Sequence, residues 1–160
     1  MVSITKQKFL SFQLGEKDTA VIPLEQITEV LPISLGEICR VPQMHSCVLG
    51  IYNWRSEMLW LVDLDEMFGY QPTFVARSSG ATTMAVVVEK QDKYLGLIVH
   101  KLLDIELLDT THINPPDHAL FNSQVSRIIQ GYFINDSQEM VLALDTSEIF
   151  QSSLLVIHNS

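Results

Sequence analysis

Three side chains able to ligate a soft divalent metal stand close together in the chain, Cys39, His45 and Cys47, in the pattern C-x5-H-x-C. A structural zinc site needs four ligands and tighter spacing, and no fourth stands at a suitable distance. The plainer reading is two free thiols in a reducing compartment, each a small hydrophobe. Asp63, Asp65 and Glu66 form an acidic cluster of the kind that binds magnesium. A second copy of the segment argues for a different role. Asp145 and Glu148 repeat Asp63 and Glu66, but Ser147 stands in place of Asp65. The copies share an Asp with a Glu three residues on, the spacing of a helix N-cap. The five histidines, His45, His100, His112, His118 and His158, form no H-E-x-x-H. The chain has no nucleophile elbow, no P-loop and no dinucleotide-binding glycine pattern. Asn135-Asp136-Ser137 matches a glycosylation sequon but reads as a hairpin turn. No catalytic residue, metal or cofactor is expected.

Composition narrows the partners. With 10 basic and 19 acidic residues the net charge is −9, the wrong sign for nucleic acid or an anionic membrane surface. The longest apolar runs, such as Met84 to Val88, are far shorter than the roughly 20 residues of a membrane helix. Met1 to Lys8 has no signal-peptide core. A cytoplasmic protein without membrane insertion is expected. Hydrophobic residues make up 47% of the chain and charged residues 18%, a folded composition. Some of the apolar surplus is expected to cover a partner.

Short strands must position whatever acts here. Phe9 to Leu14 alternates, with Leu10, Phe12 and Leu14 on one face. Gly15-Glu16-Lys17-Asp18 reads as a turn, and Thr19 to Ile22 as the return strand. Met84 to Val88 and Leu95 to Val99 repeat this around Lys90 to Lys93. Residues 72–83 read as an exposed linker, and Asn114 to Asn122 as a loop.

Internal repetition organises these elements. Glu57 to Phe68 recurs, shifted by 82, as Glu139 to Phe150: an apolar strand, an Asp and a short amphipathic helix. A second echo, shifted by 75, relates Ile27, Glu29 and Val30 to Leu102, Asp104 and Ile105. Each half opens with a hairpin and closes with strand, cap and helix. Two such units predict a mainly β fold of two small barrels with short helices. They would form one domain over 1–160, with a partner groove between them.

The stretch Leu49 to Leu64 then stands out. It resembles the signature of CheW-like domains, roughly G-x-x-N-x-R-G-x-x-x-P-V-x-D-L, through Gly50, Asn53, Arg55, Asp63 and Leu64. Pro23 to Leu31, Gly96 to Val99 with Leu102 and Ile105, Ile113 to Pro116, and Ile129-Gln130-Gly131 fit further family elements in order. The resemblance runs from about Phe9 to Phe150. Ser56 replaces the family's glycine after the arginine, Trp60 its proline, and His100 stands where an Asp is usual.

The resemblance implies two pseudo-symmetric, SH3-like five-stranded β-barrels in a non-enzymatic adaptor. Such proteins couple methyl-accepting chemoreceptors to a CheA-type histidine kinase. The kinase regulatory domain would pair barrel against barrel, and the receptor's helical signalling tip would dock near the groove. Carried over by motif, Ile27, Glu29, Leu102 and Ile105 would line or border that groove. Arg55, positioned by Asn53 and Gly50, would contact the receptor or brace Glu29, its planar guanidinium suiting a carboxylate or carbonyl. Core packing remains the alternative for Ile27, Leu102 and Ile105, a minor surface salt bridge for Arg55, and turn stabilisation for Asn53. Trp54 and Trp60 are candidates for either interface anchors or core. A CheW-like module cut from a larger kinase is one rival reading, though Met1 and the ending after the last helix favour a free-standing adaptor. A β-barrel binding another protein or a small ligand is the other.

Overall fold

The computed structural model describes residues 5–71, 82–116 and 125–152. The first copy of the repeat supplies β1 (Lys6–Leu14), β2 (Asp18–Pro23), β3 (Ile27–Ser34), β4 (Val48–Trp54), β5 (Glu57–Asp63) and α1 (Leu64–Met67). The second supplies β6 (Thr82–Lys90), β7 (Lys93–Val99), β8 (Lys101–Asp109), β9 (Ile129–Ile134), β10 (Met140–Leu144) and α2 (Thr146–Phe150). Of the stretch read as a linker, residues 72–81 lie outside the described residues, while Thr82 and Thr83 already belong to β6. Residues 117–122 of the second expected loop also lie outside them.

The strands form two five-stranded sheets, and the sheets are not the sequence halves. The first runs β8-β1-β2-β10-β9 and the second β3-β6-β7-β5-β4. Each hairpin takes its third, fourth and fifth strands from the other copy. β3 pairs antiparallel with β6 and β8 with β1, and the parallel pairs β2–β10 and β5–β7 complete the exchange. The two orders correspond strand for strand, so the sheets are pseudo-equivalent.

Exchange explains why the strands read as continuous apolar runs. A strand buried on both faces has no polar side to alternate with. In β6, Val86 and Val88 enter a core shared between the sheets, while Ala85 and Val87 enter the second sheet's own interior. Leu10, Phe12 and Leu14 do face one side together, and that side is the shared core. Phe9, on the other face, packs with Val21, Phe133, Val141 and Ala143 inside the first sheet.

Each sheet curls until its outer strands approach. Backbone bridges Cys39–Ile51 and Asn114–Tyr132 link the chain beyond β3 to β4 and the chain beyond β8 to β9. Gly50 and Gly131 make room for these crossings. A Cβ on Gly50 would run into the Cys39 carbonyl oxygen, and one on Gly131 into that of Asn114. Both helix caps form as the repeat predicts: Asp63 Oδ1 accepts from Glu66 N at 3.3 Å and Asp145 Oδ1 from Glu148 N at 3.4 Å. Asn135 Oδ1 accepts from the amides of Ser137 and Glu139 at 2.9 Å each, making the sequon-like triplet a turn. Among the described residues no helix is long and apolar enough to cross a membrane.

Candidate partner-binding surface

The Arg55 loop is a two-residue hairpin turn between β4 and β5. Arg55 and Ser56 have φ of 51° and 64°, the double left-handed geometry that matches strand twist and favours glycine. Ser56 holds a left-handed backbone conformation that glycine adopts without a Cβ penalty, at a conformational cost.

The turn places Arg55 against Glu29. Arg55 Nη2 donates to Glu29 Oε1 at 2.9 Å, and Trp54 Nε1 donates to the same oxygen at 3.0 Å. The guanidinium carbon lies 4.6 Å from the Trp54 ring centroid, a cation–π contact. Trp54 is buried at 4% exposure in the second sheet's interior, where Tyr94 packs 5.0 Å from it, ring centre to ring centre. A rigid indole thus fixes the carboxylate, and the carboxylate fixes the arginine. The Arg55 and Glu29 side chains are 58% and 37% exposed, so the pair is presented at the surface.

The other sequence-derived positions separate into two groups. Ile27 and Leu102 are half-buried and occupy equivalent places, Ile27 opposite Val88 and Leu102 opposite Phe12, at the margin of the shared core. Ile105 lies opposite Leu10 on β8 and is 54% exposed. Directly paired residues share a sheet face, so Ile105 carries the face of the shared core out to solvent, and Leu107 at 58% extends it. Gly50 is buried beneath Cys39, away from the surface. Asn53 is exposed on β4 opposite Met58. Its side chain makes no hydrogen bond among the described residues, so it does not brace the turn. Trp54 is core. Trp60 is half-buried against the shared core.

Sequence reasoning missed two features. Leu103, Ile105 and Leu107 are all exposed on β8. Of these the motif reading names only Ile105; that β8 is an edge, with Leu103 and Leu107 exposed beside it, needed the sheet order. Asp65, which the cap reading left without a role, is buried. Its Oδ1 accepts from Gly15 N at 3.0 Å, and its Oδ2 lies 3.6 Å from His100 Nδ1. It ties the β1–β2 turn of the first sheet to the crossing from β7 to β8.

The CheW-like domain family matches residues 8–154. The chain belongs to that family. The Helicobacter pylori chemotaxis protein CheW is 29% identical over 114 residues, 71% of this chain and 64% of that protein. A crystal structure of the scaffolding protein TtCheW from Thermoanaerobacter tengcongensis superposes with a TM-score of 0.74 at 20% identity, covering 96% of this chain and 95% of that one. At that identity the likeness establishes the fold: two five-stranded, barrel-like sheets in mainly β architecture. Within this CheW-like chain, the Glu29–Arg55–Trp54 cluster and the Ile105 stripe are the two surface features built by the motif positions.

Proposed function

We propose that this chain is a non-catalytic scaffold that couples a chemoreceptor's helical signalling tip to the regulatory domain of a CheA-type histidine kinase. The observation that carries the reading is the apolar stripe of β8. Ile105 and Leu107 continue a core-quality face past the edge of the first sheet into solvent, the surface an amphipathic helix covers when it docks. Membership of the CheW-like family and the CheW name of the Helicobacter pylori relative support it. Arg55 adds a directional polar contact. Glu29 occupies one of its donors, and the planar guanidinium carries five. Coupling of this kind requires differential contacts in two receptor states, not a reacting group.

Calorimetric titration of the whole chain with a CheA-type regulatory domain, and separately with a receptor signalling-tip fragment, tests the reading. Saturable binding is expected in both. Ile105→Glu should weaken the receptor titration by about tenfold or more while leaving the chain folded. Absence of heat with both partners, from a chain shown to be folded, would refute the coupling role.

A further inference from the structure

The two copies of the repeat differ at one seat. After α1 the chain crosses the β1–β2 hairpin as Phe68-Gly69-Tyr70. The Tyr70 ring lies against Gly15, where any Cβ would strike it, and its hydroxyl donates to the Asp18 carboxylate. Tyr70 packs against the shared core, which includes Ile129, Leu142 and Leu144. With the shift of 82, α2 is followed by Phe150-Gln151-Ser152, so Ser152 replaces Tyr70 in the repeat; Gln151 has φ of −93° where Gly69 has 88°, so the chain leaves α2 in another direction and no tyrosine covers the equivalent place. Val48, Trp60 and Val62 are the counterparts of Ile129, Leu142 and Leu144 by strand pairing. On this side they line an open pocket of about 330 Å³, together with Leu95 and Phe150.

Charge changes along with the side chain. Lys93, also lining the pocket, opens the return strand of its hairpin as Asp18 opens the other. Lys90 is directly opposite Lys93 in the pairing, so the two share a face, and like charges opposite each other repel. Neither makes an ion pair among the described residues. A tyrosine hydroxyl answers an aspartate on one sheet; on the other, a lysine calls for an anion.

We propose that this vacated tyrosine seat binds a small aromatic carboxylate, its ring against Val48, Trp60 and Phe150 and its carboxylate at Lys93. The volume is at the lower end of small-molecule sites, and the apolar wall with one placed charge is their usual construction. The site is independent of the coupling surface on β8 and of the reading built on it.

Titration with 4-hydroxyphenylacetate, followed by tryptophan fluorescence, tests it directly. Trp60 lines the pocket, whereas Trp54 is buried elsewhere. A saturable change with a dissociation constant at or below about 1 mM is expected. Lys93→Asp, at an exposed position, restores the charge of the other copy and should weaken binding about tenfold or more. No saturable change in the wild type, or equal binding in wild type and Lys93→Asp, overturns the proposal.

Discussion

Glu29 and Arg55 belong to opposite margins of the same five-stranded sheet, and their side chains meet at 2.9 Å. Glu29 is on β3, one edge. Arg55 caps β4, the other. Their contact, with Trp54 donating to the same oxygen, therefore helps close the second sheet as well as displaying the arginine. Closure and display separate by experiment. Both charged side chains are more than a third exposed, so Arg55→Ala should cost less than about 1 kcal/mol of stability. Trp54→Ala removes a buried indole and should cost about 3–5 kcal/mol. Urea unfolding of the two variants reads the difference. A loss for Arg55→Ala as large as that for Trp54→Ala would make the arginine chiefly structural.

Ser56 holds φ of 64° in a turn that favours glycine there. Ser56→Gly should raise stability by about 1 kcal/mol, the left-handed penalty less the added freedom of the unfolded chain. The urea midpoint moves up with an unchanged slope if this is right. A fall in midpoint would show that the Ser56 side chain stabilises the turn by more than its backbone costs.

Gly50 and Gly131 should behave as a pair. Each stands where a Cβ would strike the backbone carbonyl that bridges to the next residue, and backbone yields less readily than a side-chain tip. Gly50→Ala and Gly131→Ala should each cost about 3 kcal/mol. Gly36→Ala, with nothing near its Cβ position, should change stability by less than about 0.5 kcal/mol. Thermal melts of the three variants check the ranking.

Burial pushes the Cys47 thiol up to about 12 from 9.0, with the Glu66 and Asp63 carboxylates adding to the shift. A folded-state value raised above the unfolded one stabilises the fold below about pH 9, and that contribution is lost as pH rises from there towards 12. Cys47→Ala should therefore reduce the decline in stability across that window, as followed by urea midpoints at stepped pH. A thiol-labelling reagent at neutral pH should modify exposed Cys39 alone in the native chain and both cysteines after unfolding. Two thiols labelled natively would show that the Cys47 site opens readily.

Much of this was legible in the residues. Alternation gave Leu10, Phe12 and Leu14 a common face because side-chain direction in a strand is a local property. The two Asp-x-x-Glu caps followed from the repeat because a cap is satisfied within four residues. The order Gly50, Asn53, Arg55, Asp63, Leu64 pointed to the family. Local pattern could not say which copy's strands pair. β3 and β6 are complementary in the same way as β8 and β1, and a repeat makes each strand's alternatives alike in sequence. Only the assembled sheets placed β8 at an edge, which decided between groove and core for Ile105 and put Leu103 and Leu107 on the surface beside it. They also separated the motif residues by role: Glu29, Trp54 and Arg55 into one cluster, Gly50 beneath a crossing strand, Asn53 exposed with no hydrogen bond to the turn. Contacts between residues far apart in sequence depend on which edges meet, and that is a property of the closed sheets rather than of any one strand.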